Sequence, residues 1–162
     1  MNKLRVARIE IQIATTRSGV PHASKLRAWA SAALPAGSGV VCVRVVGSAE
    51  SRKLNRRWRG KDKPTNVLSF PYSGAYALAP SRSPDFELGD IVICAPVVAR
   101  EAREQGKPLN AHWAHMLVHG VLHLCGYDHV KSRDAKRMEA LEVKILSRFG
   151  YQDPYSSPYI SQ

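Results

Sequence analysis

Three histidines, His119, His123 and His129, stand in the run H-G-V-L-H-L-C-G-Y-D-H, a spacing that can gather imidazoles around one point. On a helix, His119 and His123 are one turn apart and project from the same face. Gly126 can end that helix in a left-handed turn, so that the chain doubles back and brings His129 towards the pair. Three neutral imidazoles on one centre hold a borderline ion such as zinc and leave a fourth position for water. Zinc lowers the pKa of such a water to about 7, which favours hydrolysis at neutral pH. The order H-x-x-x-H-x-x-G-x-x-H is also the metzincin protease ligand pattern, in which a general-base Glu follows the first His. Here that position is Gly120. The set is built for a metal, but not for its usual proteolytic use.

His112 and His115 fall on the same helical stripe as His119 and His123, so periodicity alone does not choose among the four. Five of the six histidines lie between His112 and His129, too dense a cluster for an ordinary solvated face. The return turn makes the choice: His129, beyond Gly126, comes back nearer to His123 and His119 than to His115. Asp128 either accepts the second N–H of a ligand imidazole, fixing its tautomer, or is a simple turn residue. Cys125 points elsewhere on a helix and reads as packing. A closed structural zinc site needs a fourth protein ligand that the motif does not supply, so one zinc ion per chain with an open position is the economical reading.

The second chemical feature is a basic segment: Arg52, Lys53, Arg56, Arg57, Arg59, Lys61 and Lys63, with Asp62 as its only acid. It is followed by P-T-N-V-L-S-F-P, so a helix end, a turn and a strand can aim cations into a cleft. Such contacts hold phosphates without reading sequence and weaken with salt. Arg56, Lys61 and Lys63 are the candidate RNA-binding residues. Trp58 could stack on a base, but the reading favours a core anchor for the helix.

The elements that must position these groups follow from periodicity and punctuation. Residues 4–13 suggest a strand, 21–34 a helix, 39–46 a central β-branched strand, and 49–58 a basic helix. A short strand over 66–70, ended by Pro71, precedes a long Ser/Pro/Gly/Ala loop over 72–88. A strand over 89–94 leads to a helix opened by Pro96 and closed by Gly106 and Pro108. The histidine helix spans 110–124 with Asn110 as its cap, and the last helix spans 132–149 before Gly150. The pattern suggests an α/β or α+β layer, with helices packed on a small sheet.

At 162 residues the chain is long enough for one domain with a real core, placed at 1–155 with a loose tail over 156–162. The 24 Lys+Arg against 13 Asp+Glu give a formal charge of +11, which favours a polyanion partner such as nucleic acid. Three cysteines without a C-x-x-C pair read as buried thiols in a reducing compartment. No signal-peptide core and no long apolar run is present, so the expectation is a cytoplasmic protein without membrane contact.

Two segments, R-G-K-D-K-P-T-N-V-L-S-F-P over 59–71 and H-G-V-L-H-L-C-G-Y-D-H over 119–129, resemble the YbeY family of metal-dependent endoribonucleases, also described as rRNA maturation factors. L-G-D-I over 88–91 and D-A-K-R-M-E-A-L-E-V-K-I-L near the end support the likeness, which runs from residue 54 to about 155. The resemblance implies that His119, His123 and His129 are zinc ligands and Arg59 the functional arginine of the substrate cleft. It implies a single-domain α+β fold, a small mixed sheet with helices, the metal site on one of them. It further implies single-strand-specific RNA cleavage, maturation of the small-subunit rRNA 3′ end, and ribosome quality control. Its partners would be single-stranded RNA, rRNA, the small ribosomal subunit and its proteins, with no small-molecule cofactor. The stretch 73–84 departs from the family pattern. The competing expectation is a non-catalytic assembly factor that binds rRNA and uses zinc to hold its fold; a metalloprotease is disfavoured by Gly120.

Overall fold

The computed structural model describes residues 8–35, 39–72 and 86–156. Its elements in chain order are β1 (Arg8–Ile13), α1 (Ala23–Ala32), β2 (Val40–Val46), α2 (Ser48–Arg59), β3 (Val67–Pro71) and β4 (Glu87–Cys94). Then follow α3 (Ala95–Gln105), α4 (Leu109–Leu124) and α5 (Ser132–Ser147). The four strands form one sheet in the order β1-β2-β4-β3. β1, β2 and β4 run parallel, and β3 is antiparallel to β4. This is the small mixed sheet with helices that the α+β reading anticipates.

β2 is V-V-C-V-R-V-V, a central strand between two parallel neighbours: Val41, Val43 and Val45 are buried on one face, while Cys42 and Arg44 are only half-buried on the other. Val41, Val43 and Val45 point with Ile91 and Ile93 into the larger core, shared with Leu26 and Trp29 of α1, α4, and Met138 and Leu146 of α5. On the other face Val46, Val92 and Cys94 meet Leu68, Val97, Leu54 and Phe70 in a smaller core beneath α2 and α3. The period-2 side-chain alternation of β4 thus serves two cores at once.

α4 is the central helix, and twelve of its sixteen residues are buried. Its apolar positions therefore run round the whole helix rather than along one stripe. It packs against α1, α3, α5, β3 and β4. Gly120 seats the helix closely on the sheet: a Cβ there would lie 3.2 Å from Val67 Cγ2 and 3.3 Å from both Ile91 Cγ2 and Ser69 Oγ. Ser69 Oγ donates to the Gly120 carbonyl at 3.0 Å. The residue that removes the protease base is the one that lets the helix seat on the sheet.

Several expectations are corrected. α4 begins at Leu109 after Pro108, so Asn110 lies inside the helix and is not its cap. Pro71 belongs to β3, pairing with Gly89 at the strand end. α5 stops at Ser147. Cys94 and Cys125 are buried thiols, whereas Cys42 is half-buried because it faces the polar edge occupied by Glu10 and Asp90. Residues 4–7, most of the 72–88 loop and the tail beyond 156 lie outside the described residues. Residues 151–156 are docked: Tyr151 sets its ring edge against Trp29 at 6.3 Å, and Asp153 accepts the Tyr155 N–H at 2.8 Å. Among the described residues no helix is long and apolar enough to cross a membrane.

Candidate active site

After the first turn of α4, only His119 and His123 come even partly to the surface. The helix then ends as its sequence dictates. Gly126 adopts φ 93, its N–H donates to the His123 carbonyl at 3.0 Å, and the Tyr127 N–H donates to the Leu122 carbonyl at 3.1 Å. This is the paired hydrogen-bond pattern of a glycine-terminated helix. It reverses the chain so that His129 faces the last helical turns. The ring centroids of His119 and His123 are 4.9 Å apart, those of His123 and His129 4.9 Å, and those of His119 and His129 5.6 Å. His123 Nε2 lies 3.0 Å from His129 Nδ1. One donor atom from each of the three lies within 4.8 Å of the others, close enough for a single ion to reach. Burial, then the neighbouring His119 and His129 rings, pushes His123 down to about 4. It is therefore neutral at pH 7, the state a ligand imidazole needs.

A second group, His115, His119 and Glu142, also gathers its donor atoms within 4.8 Å. Its members are already engaged with one another. Glu142 Oε1 accepts from His119 Nδ1 at 2.6 Å, Oε2 accepts from His115 Nε2 at 2.9 Å, and Oε2 also accepts from the Tyr155 hydroxyl. Burial alone would raise the Glu142 carboxyl, but the hydrogen bonds from His115, His119 and Tyr155 hold it well below the usual carboxylate range. His115 is pushed down, chiefly by burial. His112 is tied elsewhere, to Glu101 at 3.0 Å, and Glu101 in turn accepts from Asn66 Nδ2. Asp128 accepts the backbone N–H groups of His129 and Val130, so it is the turn residue and not the support of an imidazole.

The three histidines open onto a cleft of about 560 Å³. Arg59, Asn66, Ser69, Met116, His115 and Tyr155 share its lining with them. Among the described lining residues there is no carboxylate, so the cleft suits an anionic group. Arg59 reaches this position because α2 stops there: Gly60 takes φ 69 and donates to the Arg56 carbonyl at 3.1 Å. Two buried polar residues one turn apart on α2 pin the loop that follows. Asn55 Nδ2 donates to the Lys63 carbonyl at 2.8 Å, and Ser51 Oγ exchanges hydrogen bonds with the Thr65 backbone, each 3.0 Å.

Arg56, Lys61 and Lys63 are exposed and stand outside the cleft lining, on the surface beside it. Asp62, the only acid of the segment, is held by Arg52 through two contacts of 2.8 and 3.0 Å. Trp58 is 61% exposed, which corrects the core-anchor reading. Its ring meets Phe70 edge-on at 6.0 Å, and the Arg57 guanidinium lies 5.3 Å from its centre. The side chains that sequence reasoning missed are Glu142, Tyr155, Asn66 and Ser69. Glu142 carried a signal, being a carboxylate set among Met138, Ile145 and Leu146 on the apolar side of α5. Tyr155, in a polar tail, carried none.

The family model described as Endoribonuclease YbeY matches residues 9–150. A relative from Alkalilimnicola ehrlichii, Endoribonuclease YbeY, is 53% identical over 152 residues, covering 91% of this chain and 90% of the relative. The solution structure of TM1509 from Thermotoga maritima superposes with a TM-score of 0.53 at 23% identity. It covers 92% of this chain and 99% of that one, a likeness of fold.

Proposed function

The chain belongs to the YbeY endoribonuclease family and is by that membership a hydrolase of RNA phosphodiester bonds; from this premise we propose that it is a zinc-dependent, single-strand-specific endoribonuclease. In this reading it works in the cytoplasm on the small ribosomal subunit and its proteins, maturing the rRNA 3′ end and serving ribosome quality control. The observation that carries the proposal is the meeting of His119, His123 and His129 with Arg59 in one cleft, with no carboxylate among its described lining residues.

The donor set fits zinc: three imidazoles, one of them held neutral by its surroundings, with the rest of the coordination sphere open to the cleft. Bound zinc supplies Lewis acidity towards a phosphoryl oxygen and an acidified water. His119, His123 and His129 hold the ion. Arg59, which lines the same cleft and has no carboxylate partner among the described residues, orients the phosphodiester and offsets the charge that develops on it. Arg56, Lys61 and Lys63 extend the cationic surface along which the RNA backbone tracks. The exposed Trp58 indole beside Arg59 is a surface on which an unpaired base can stack, which favours single strands. No side chain of the described lining is a carboxylate base, and at Gly120 a side chain would press on Val67, Ile91 and Ser69, which separates this site from the proteases of similar ligand order.

The test is cleavage of an rRNA fragment containing a single-stranded 3′ extension by zinc-loaded protein, beside His123→Ala prepared in parallel. The proposal expects cleavage to vanish in the variant while its circular dichroism is unchanged. Salt-sensitive RNA binding with no cleavage by either protein would favour the assembly-factor alternative, in which zinc only holds the fold.

A further inference from the structure

Behind the three histidines stands a carboxylate that the reaction itself does not touch. Glu142 is 0% exposed, and both its oxygens accept hydrogen bonds from donors in two separate parts of the chain. From α4 come His119 Nδ1 at 2.6 Å and His115 Nε2 at 2.9 Å; from the C-terminal segment comes the Tyr155 hydroxyl. A carboxylate accepts and cannot donate, so the His119 proton sits on Nδ1 and the lone pair on Nε2. The other anchor of the arrangement is equally definite. Tyr155 sets its ring at 87° to His115 with centroids 5.3 Å apart, and Asp153 folds the segment by accepting the Tyr155 N–H. The Ser156 hydroxyl closes the same turn on the Asp153 carbonyl at 2.8 Å.

We propose that Glu142 is a positioning residue of the metal centre, holding His119 in the Nδ1–H tautomer and fixing its ring, and that Tyr155 completes the carboxylate's shell. The C-terminal segment is then a working part of the centre rather than a tail. The inference rests on the reading of His119, His123 and His129 as the ligands. Carboxylates that brace a ligand imidazole in this way typically contribute 10–100-fold to metal affinity. Glu142 acts here through His119 and not as a ligand: its oxygens accept from His119, His115 and Tyr155.

The experiment is zinc affinity of the full chain, measured by competition with a chromophoric chelator. The proteins compared are the wild type, Glu142→Leu, Glu142→Gln, Tyr155→Phe, His119→Ala and His123→Ala. Alongside it, nitrogen-15 spectra of the imidazoles report whether His119 carries its proton on Nδ1. Glu142→Leu should weaken zinc about 10–100-fold and scramble the His119 tautomer. Glu142→Gln retains an acceptor for Nδ1–H and should recover most of the affinity, and Tyr155→Phe should lose a few-fold. Wild-type affinity in a folded Glu142→Leu, with zinc lost in His123→Ala, would overturn this inference alone. Zinc lost in both Glu142 variants as fully as in His119→Ala, but kept in His123→Ala, would make Glu142 a ligand and overturn both readings. Should Glu142→Leu fail to fold, wild-type affinity and an unaltered His119 signal in both Glu142→Gln and Tyr155→Phe would overturn the proposal.

Discussion

α4 and the end of α2 both line one cleft, and the two helices are built in opposite ways. α4 buries twelve of its sixteen residues, whereas α2 buries only Ser51 and Asn55. The histidines of α4 are fixed by packing and by carboxylates behind them; the cations of α2 project into solvent from a helix pinned by two polar side chains. The difference suits the roles proposed for the two sets of side chains, metal ligands on α4 and RNA-gathering cations on α2. Ligands have to converge within tenths of an ångström, which demands locked rotamers on a rigid element. Cations that collect a polyanion act over roughly 10 Å through solvent at ordinary ionic strength and need exposure more than precision.

The tryptophans of the two helices give the sharpest way to break this comparison. Trp113 of α4 is 0% exposed and Trp58 of α2 is 61% exposed. Trp113→Ala should cost about 3–5 kcal/mol in urea unfolding. Trp58→Ala should stay within about 0.5 kcal/mol of the wild type. Equal losses would mean that α2 is as much a part of the core as α4.

Next in size is the helix–sheet seam. Gly120→Glu restores the protease-like residue, but its side chain must enter a gap already closed by Val67, Ile91 and Ser69. Overpacking alone should destabilise the protein by about 1–3 kcal/mol, and no peptidase activity should appear. A stable variant that cleaves casein would show that the seam is looser than described.

Smaller effects belong to the rim. If Trp58 stacks on an unpaired base, Trp58→Ala should weaken single-stranded RNA binding by about 1–3 kcal/mol, and duplex RNA binding far less. Each of Arg56→Ala, Lys61→Ala and Lys63→Ala should lower the slope of log affinity against log salt by about 0.7 where that cation meets a phosphate. An unchanged slope would remove that residue from the RNA path.

The legibility of the molecule in its sequence divides along the same line. The convergence of His119, His123 and His129 was readable because a glycine-terminated helix is a local device, and local devices are encoded within a few residues. The strand and helix order was readable from β-branched runs and from Gly and Pro punctuation. The burial of Trp58 was misjudged because aromatic character indicates packing without saying on which side of a helix the core lies. Glu142 and Tyr155 were missed for a different reason. They reach the histidines across 23 and 40 residues of sequence, and only the docking of α5 and the C-terminal segment brings them together. Gly120 was recognised as the loss of a base, while its packing role needed the sheet.

In the proposed mechanism the metal and the arginine are separate parts of one machine, built on different helices and joined at the cleft. The decisive variant is Arg59→Ala, with zinc content and RNA cleavage measured on the same preparation. One zinc per chain as in the wild type, unchanged unfolding, and cleavage reduced by about 10²–10³-fold, the usual effect of removing one charge-stabilising donor, are expected. Loss of zinc together with activity would make Arg59 a structural support of the centre, and full cleavage without Arg59 would remove it from the reaction.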